Sequence, residues 1–393
     1  DRTVHTGLLE YKNVYRPVRV VSYDKESGEL VLHNYMDFDD LKDYVKISYE
    51  LTQDGLVISK GILSEFSVAS HGEGKTNLKI SVPENGKCYL KLIYYLKKEM
   101  PLLEENHILG FDEIEVSQKD AKCQLAEKWL EKTATDSELQ VNEDDTQIHI
   151  KGREFAYTID RRTALFTEMK FAGREYLNHP MELNIWRAPT DNDMYIKAEW
   201  KKAHYDKAYT RAYTTEVVQG KHGVKIVSHA SVVAETVQKI LDVTITWKID
   251  ASGKIDADIE ATKDGEFPDL PRFGVRMFLD KKLSDARYFG MGPQESYRDK
   301  HQAASHGLYR ANVRDLHEDY IRPQENGSHY DCGYVELNNS RYGIVASDSV
   351  VLCVDYALNG IGSNSCGPVV LDQYRFNDVL FRFRFTLIPY VKG

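Results

Sequence analysis

An all-β fold is predicted for this chain of 393 residues, because strand-like alternation dominates its sequence. In LDVTITWKID, apolar residues occupy every second position of 241–249, and polar residues lie between them. KIDADIEA repeats the pattern, and the Ser-Gly pair at 252–253 predicts a hairpin between the two segments. FRFRFTL alternates again at 381–387. Helical periodicity is visible only in short pieces such as 196–204.

Between residues 17 and 117, short strand-like segments arrive at regular intervals. They are VRVVSY, ELVLHNY, VKISYEL, GLVISKGIL, TNLKISV and CYLKLIYYLK. Turn signals separate them, such as Gln-Asp-Gly at 53–55 and Glu-Asn-Gly at 84–86. About seven strands in about a hundred residues are typical of an immunoglobulin-like sandwich.

The remaining segments complete the predicted domain organisation. Residues 1–16 mix polar and apolar positions without a sustained period, which predicts a linker. Residues 118–138 are charged and poor in strand patterns, as expected for a connector. From 139 to 393, longer strands and wide loops predict a much larger antiparallel sandwich.

The charge and the cysteines restrict the function classes. Lys and Arg number 51 against 61 Asp and Glu, giving a net charge of −10 without a long basic run. A nucleic-acid or anionic-membrane partner is therefore not expected, since both need a concentrated cationic face. The apolar runs are too short to span a bilayer. No C-x-x-C spacing occurs, so neither a disulfide framework nor a zinc site is expected, and a reducing, cytoplasmic location is predicted. The cysteines are Cys88, Cys123, Cys332, Cys353 and Cys366.

The segment NIWRAPTDND, at 184–193, gathers an arginine and two carboxylates around a proline. It allows three interpretations: a metal loop, a catalytic group or a buried clasp. A calcium loop starting at Asp191 would require Asp or Asn at its fifth position, Gly at its sixth and Glu at its twelfth. Tyr195, Ile196 and Lys202 stand there instead, so the calcium interpretation fails. Whether another metal binds is left open.

The catalytic interpretation needs two carboxyl groups that face each other across a sugar, as in glycosidases. Asp191, Asp193, Glu295 and Glu325 are candidates, but the sequence does not pair them. The alternative is structural. Arg187 would then make a bidentate ion pair with one of these acids and clamp a long loop.

Two further segments, 288–307 and 320–333, each carry a turn, an acid and nearby histidines. These histidines are candidates for general acid–base chemistry or for structural hydrogen bonds: His301, His306, His317 and His329. The loop GIGSNSCGP, at 360–368, suits either a simple turn or a loop presented to a ligand. No G-x-S-x-G, P-loop or G-x-G-x-x-G motif is found, which counts against serine hydrolases, NTPases and Rossmann enzymes.

Four segments in order, WRAPTDND, YFGMGPQESYRDK, RPQENG…CGYVEL and NGIGSNSCGP, resemble the C-terminal part of the large bacterial β-galactosidases of glycoside hydrolase family 2. HTGLLEYKNVYRPV resembles the segment that leaves their catalytic barrel. The resemblance implies an immunoglobulin-like domain followed by a galactose-mutarotase-like supersandwich. It also implies retaining hydrolysis of terminal β-galactosides by two glutamates about 5 Å apart. Those glutamates belong to the barrel, and neither of the motifs that carry them is found here, so the chain alone is expected to be inactive.

The resemblance also assigns roles to residues of this chain. Asp191, Asn192 and Asp193 match the start of a loop at the mouth of the active site. Cys366, or Gly367, stands where some members carry a tryptophan that stacks on the sugar, so that stacking is expected to be lost. A structural clasp is expected from a second group, Arg187, Glu295 and Glu325.

The expected partners follow from the same resemblance. They are a galactoside bound by the full enzyme, the chain's own catalytic barrel and further copies of the enzyme in a homo-oligomer. Enzymes of this family commonly use Mg and Na, but no cofactor is expected in this part. Two alternatives remain open: a free-standing sugar epimerase that uses a histidine and a glutamate, and an accessory carbohydrate-binding subunit of a separate barrel.

Overall fold

The computed structural model describes residues 4–130, 138–236, 239–339, 342–343, 350–362, 365 and 367–391. In this part of the chain, strands dominate and the α-helices are few and short, so the all-β prediction is confirmed. The helices are α1 (Thr6–Val14), α2 (Leu41–Tyr44), α3 (Gln124–Leu130) and α4 (Ile196–Lys202). None of the described helices has the length and apolar character needed to cross a membrane.

The first sandwich contains seven strands in two antiparallel sheets. One sheet has the order β1-β2-β5 and the other the order β4-β3-β6-β7, which is an immunoglobulin-like arrangement. The strands are β1 (Val18–Tyr23), β2 (Glu29–Asn34), β3 (Val45–Gln53), β4 (Leu56–Leu63), β5 (Glu73–Asn77), β6 (Cys88–Leu96) and β7 (Ile108–Glu115).

The core of this sandwich follows from alternation. In β6, Leu90, Leu92 and Tyr94 are fully buried, while the residues between them are partly exposed. One prediction is offset: the apolar TNLKISV segment was expected to form a strand, but β5 lies mainly before it, at Glu73–Asn77. That strand is polar and exposed, and it is defined by pairing with β2 rather than by an apolar face.

The second sandwich is larger and also antiparallel. Its strands are β8 (Gln140–Glu143), β9 (Gln147–Lys151), β10 (Phe155–Asp160), β11 (Leu165–Phe171), β12 (Arg174–Glu175), β13 (Leu177–Asn184), β14 (Tyr209–Gln219), β15 (Gly223–Val233), β16 (Leu241–Asp250), β17 (Ile255–Lys263), β18 (Arg272–Leu279), β19 (Asp285–Gly292), β20 (Ser305–Asn312), β21 (Tyr334–Asn338), β22 (Tyr342–Gly343), β23 (Val350–Leu358), β24 (Leu380–Leu387) and β25 (Tyr390–Val391). They form sheets of the order β12-β11-β10-β9-β8, β13-β18-β23, β14-β15-β16-β17-β24 and β20-β19-β21-β22-β25.

The sheet of the order β14-β15-β16-β17-β24 carries the alternation seen in the sequence. β16 and β17 pair as the predicted hairpin, and β24 pairs with β17 on its other side. Trp247 of β16 is fully buried, and its indole Nε1 donates to the carbonyl oxygen of Ala164 at 2.8 Å. A single large core therefore joins this sheet to the strands around it.

The segments before and between the sandwiches contain helices. Residues 4–16, predicted as a linker, hold α1, and the connector 118–138 holds α3. α1 buries polar rather than apolar side chains, Thr6 and Asn13, while Leu8 and Tyr11 are exposed. This reversed pattern explains why no amphipathic helical period is visible in that segment. The helical signal at 196–204 corresponds to α4.

Candidate functional site

The loop that follows β13 is held by a buried ion pair between Arg187 and Asp193. The guanidinium donates from Nη2 to Asp193 Oδ1 at 2.7 Å and from Nε to Oδ2 at 3.2 Å. The Arg187 side chain is 0% exposed and that of Asp193 6% exposed. Trp200 of α4 covers the pair, with its ring centroid 5.2 Å from Arg187 Cζ. This bidentate geometry is the one that arginine offers to a carboxylate.

The sequence supplies this geometry locally. Asp191–Met194 forms one turn of 3₁₀ helix, which brings Asp193 back toward the start of the loop. The Asp193 carboxylate also accepts from the backbone N–H of Thr190 at 2.8 Å. A short turn therefore folds around one carboxylate, and Arg187 closes it from the other side. We call this group, Arg187 with Asp193, the clasp.

The neighbouring candidates lie on the same loop but face other partners. Asp191 is exposed, and it accepts from Gln324 Nε2 at 3.2 Å. Asn192 donates from Nδ2 to the carbonyl oxygen of Ile361 at 2.9 Å and accepts from Ser365 Oγ at 3.2 Å. Asn192 thus connects the loop that carries the clasp, which we call the clasp loop, to the segment at 360–368 after β23, which we call the glycine-rich loop. Cys366 lies outside the described residues.

The glycine-rich loop is tied to the clasp through its backbone. Arg187 Nη1 donates to the carbonyl oxygen of Asn359 at 2.5 Å, and Nη2 donates to that of Gly360 at 3.1 Å. Asp299, which the sequence reasoning missed, accepts the N–H groups of Ile361 at 3.0 Å and Gly362 at 2.7 Å. The only signal for Asp299 in the sequence was its place in YFGMGPQESYRDK.

Glu325 belongs to a second buried charge group beside the clasp. Arg272 donates from Nη1 to both oxygens of Glu325, at 3.1 and 3.2 Å, and from Nη2 to Asp355 at 2.5 Å. Burial raises the pKa of Glu325, and the nearby Asp355 adds to that rise. The backbone N–H of Glu325 donates to the carbonyl oxygen of Ala188 at 3.0 Å, which joins the two loops. Arg187 and Glu325 are therefore neighbours, but each has its own ion-pair partner.

Glu295 does not join the clasp and lies instead where α1 meets the second sandwich. Lys300 donates from Nζ to Glu295 at 2.5 Å, and Tyr320 also donates to this carboxylate. Thr6 of α1 contacts the group, at 3.0 Å from Lys300 Nζ. Burial alone would raise the pKa of Glu295, but the hydrogen bonds from Lys300 and Tyr320 lower it below its ordinary value.

The four candidate histidines are separated from these glutamates. His306 lies between two carboxylates of different sandwiches, with Nδ1 2.7 Å from Glu113 and Nε2 3.0 Å from Asp331. Burial alone would lower the pKa of His306, but its hydrogen bonds to Asp331 and Glu113 raise it to about 9. His329 and His301 each contact a backbone carbonyl, and His317 is exposed.

The positions of the candidate histidines and glutamates are relevant to the epimerase alternative and to metal binding. In the described part of the chain, no hydrogen bond joins Glu295 or Glu325 to a histidine. The structure therefore lacks, among these described residues, the histidine–glutamate hydrogen bond that would have favoured the epimerase alternative. Among the described residues, no three His, Cys, Asp or Glu side chains form a group that could hold a metal ion.

Three of the candidate carboxylates are engaged in ion pairs. Asp193 and Glu295 are buried and Glu325 is half-buried, and each of the three is paired with a cation. Each of these carboxylates accepts hydrogen bonds from the cation beside it, so its oxygen atoms are engaged within the protein. The fold and the site together define a protein of two β-sandwiches in which buried ion pairs hold the loops.

The chain belongs to the β-galactosidase small-chain family, whose model matches residues 151–387. The model of β-galactosidase domain 4 matches residues 30–117. The domain limits predicted from the sequence, at 17–117 and 139–393, enclose these ranges and remain predictions.

The relatives described next are all named β-galactosidase. A β-galactosidase of Actinobacillus pleuropneumoniae is 39% identical over 99% of this chain and 40% of its own length. β-Galactosidases of Staphylococcus xylosus and Kluyveromyces lactis are 29% and 26% identical, over 98% and 97% of this chain and 41% and 38% of their own lengths. The chain thus spans about two fifths of these relatives.

A solved structure of galactose 1-epimerase from Lactobacillus acidophilus aligns with 65% of this chain and 97% of its own chain, at 8% identity. Its TM-score of 0.29 is too low to support an argument about fold or function.

Proposed function

We propose that this chain is the non-catalytic C-terminal region of a β-galactosidase, which hydrolyses terminal β-D-galactose residues of β-galactosides. The observation that carries the proposal is the 39% identity to a β-galactosidase over 99% of the chain. The site agrees with it, since the buried candidate carboxylates are engaged by cations. The two glutamates of retaining hydrolysis are assigned to a barrel outside this sequence.

Within that enzyme, we assign the clasp loop and the glycine-rich loop to the border of the active site. Asp191 and Asn192 lie at the exposed or half-buried side of the clasp, where a galactoside or the barrel can reach them. Arg187 and Asp193 lie beneath, fully enclosed. The outer residues therefore shape the mouth, and the inner pair fixes its position.

The wider setting of the enzyme is part of the same proposal. We place it in the cytoplasm, which is supported by the free thiols of the described cysteines Cys88, Cys123, Cys332 and Cys353. Any requirement for Mg or Na is assigned to the barrel, as the resemblance to the family implies. Assembly of the enzyme into a homo-oligomer is expected.

Hydrolysis of an aryl β-galactoside tests the proposal. The full-length protein that contains this chain is expected to release the nitrophenol, and the purified chain alone is expected to release none. Turnover by the chain that persists after any full-length enzyme has been removed would overturn the non-catalytic assignment. Polarimetry of fresh α-galactose with the same chain provides the matched measurement, and accelerated mutarotation would support the epimerase instead.

A further inference from the structure

The Asp299 carboxylate lies against the backbone of the glycine-rich loop. Oδ1 accepts the N–H of Ile361 at 3.0 Å, and Oδ2 accepts the N–H of Gly362 at 2.7 Å. Two consecutive amides therefore point at one carboxylate, 62 and 63 residues away in the sequence. Hydrogen bonds from amides to a charged acceptor are stronger than those to neutral ones.

The loop needs glycine where it meets this acid. A Cβ added at Gly360 would lie 2.7 Å from Asp299 Oδ2 and 2.9 Å from Val370 Cγ1. A Cβ added at Gly362 would lie 3.0 Å from the same carboxylate oxygen. A side chain at Gly360 would therefore require the Asp299 carboxylate and Val370 to shift, and one at Gly362 would require a smaller adjustment of the same carboxylate.

The opposite side of the same backbone is held by the clasp loop. Arg187 donates to the carbonyl oxygens of Asn359 and Gly360, and Asn192 donates to that of Ile361. The carbonyl groups are therefore held by a cation and an amide, and the N–H groups by an anion. These hydrogen bonds hold the backbone from two sides, so an effect of this segment on a substrate would come from its position.

We propose that Asp299 is a positioning residue of the β-galactosidase active-site border. Its carboxylate fixes the backbone of residues 360–362 against the clasp, and this sets where the glycine-rich loop meets the galactoside. The inference rests on the proposed function and goes beyond it by naming the acid on which the position of the loop depends. Asp299 touches no reacting atom in this scheme.

The test compares Asp299→Asn and Asp299→Ala in the full-length protein. Asparagine keeps one acceptor oxygen and alanine keeps none, so hydrogen exchange of the Ile361 and Gly362 amides should be about tenfold faster or more in the alanine variant and intermediate in the asparagine variant. KM for an aryl β-galactoside should rise about three- to tenfold, with kcat changed less than about twofold, because the loop acts on binding.

Asp258→Asn is the matched control. Like Asp299, Asp258 accepts hydrogen bonds from two residues. Its donors are the side chains of Arg382 and Arg384, and it lies on the outer face of β17 and β24. It should leave both KM and the exchange of the loop amides unchanged.

The possible results distinguish a failure of the proposed β-galactosidase function from a failure of the positioning role of Asp299. If the wild-type full-length protein does not hydrolyse β-galactosides, the proposed function fails, and the role of Asp299 at a substrate border fails with it. If the wild type is active but Asp299→Asn and Asp299→Ala leave KM unchanged, only the positioning role is overturned. Unchanged amide exchange in Asp299→Ala would overturn the geometric basis directly, whatever the activity. A rise in KM shared by Asp258→Asn would also count against the role.

Discussion

The clasp and the junction between the sandwiches both depend on buried charges, but they use them differently. At the clasp, Arg187 and Asp193 lie six residues apart and hold a loop to its own sandwich. At the junction, His306 of the second sandwich lies between Glu113 of the first and Asp331 of the second. Arginine keeps its charge at every accessible pH, whereas the charge of histidine is titratable. The loop is therefore held by an arginine whose charge does not depend on pH. The contact between the sandwiches is held by a histidine whose charge does.

Arg187→Ala should have the largest effect. The substitution leaves Asp193 buried without its partner, and removing one member of a buried pair costs about 3–5 kcal/mol. Denaturant unfolding should show this loss. The free energy of unfolding of Arg187→Lys should lie between those of Arg187→Ala and the wild type, because lysine keeps the charge but lacks the planar guanidinium group.

The clasp interpretation also makes a prediction for the full-length enzyme. There, Arg187→Ala should loosen the loop and its contact with the barrel without removing a chemical step. Unaltered stability together with abolished turnover would argue against a clasp.

Gly55→Ala should have the next largest effect, and it acts on the junction. Gly55 has a φ of +80°, and a Cβ there would lie 2.2 Å from the backbone nitrogen of Leu308 in the second sandwich. Gly173 is the matched control, since its φ is +74° but nothing lies within 4 Å of an added Cβ. Gly55→Ala should cost about 1–3 kcal/mol more than Gly173→Ala in thermal or denaturant unfolding. Equal costs would show that the sandwiches tolerate separation at this point.

The pH dependence of unfolding tests the charge of His306. The folded-state pKa of His306, about 9, lies above its ordinary value of 6.5. Its contribution to stability should therefore be complete below about pH 6.5 and be lost as the pH rises through about 9. We expect about 1–3 kcal/mol to be lost between pH 7 and 10 relative to His306→Gln. Parallel pH profiles of the wild type and the variant would exclude a charged bridge.

Asp258→Asn should have the smallest effect. This acid pairs with Arg382 and Arg384, but the two arginines are 50% and 63% exposed. Exposed ion pairs contribute about 0–1 kcal/mol because water and salt screen them. A loss in chemical denaturation as large as that of Arg187→Ala would show that burial is not what distinguishes the clasp.

Alternation along the chain was sufficient to predict the strands with one buried face. The hairpin of β16 and β17 is the clearest case, because every second residue enters the core. Alternation could not predict β5, whose residues are polar and which exists through pairing with β2. It also could not predict α1, whose buried residues Thr6 and Asn13 are polar.

The candidate site was predictable only in part. The local motif indicated that Arg187 would pair with an acid, and the acid within the same turn, Asp193, is the partner. Partners distant in the sequence were not predictable. Asp299 meets the glycine-rich loop across 62 residues, and Asn359 accepts from Arg187 across 172. Such contacts depend on how the sheets bring loops together, which a single sequence does not specify.

The helix α1 restricts where the chain tolerates insertions. Glu10 accepts the backbone N–H groups of Gln302 and Ala303, both at 2.9 Å. One turn later, Asn13 donates to the carbonyl oxygen of Gln302 and accepts the N–H of Phe111 in the first sandwich. One residue added between Glu10 and Asn13 would rotate them by about 100° relative to each other, since an α-helix has about 3.6 residues per turn. The length of this helix is therefore more constrained than the identity of its outward-facing residues.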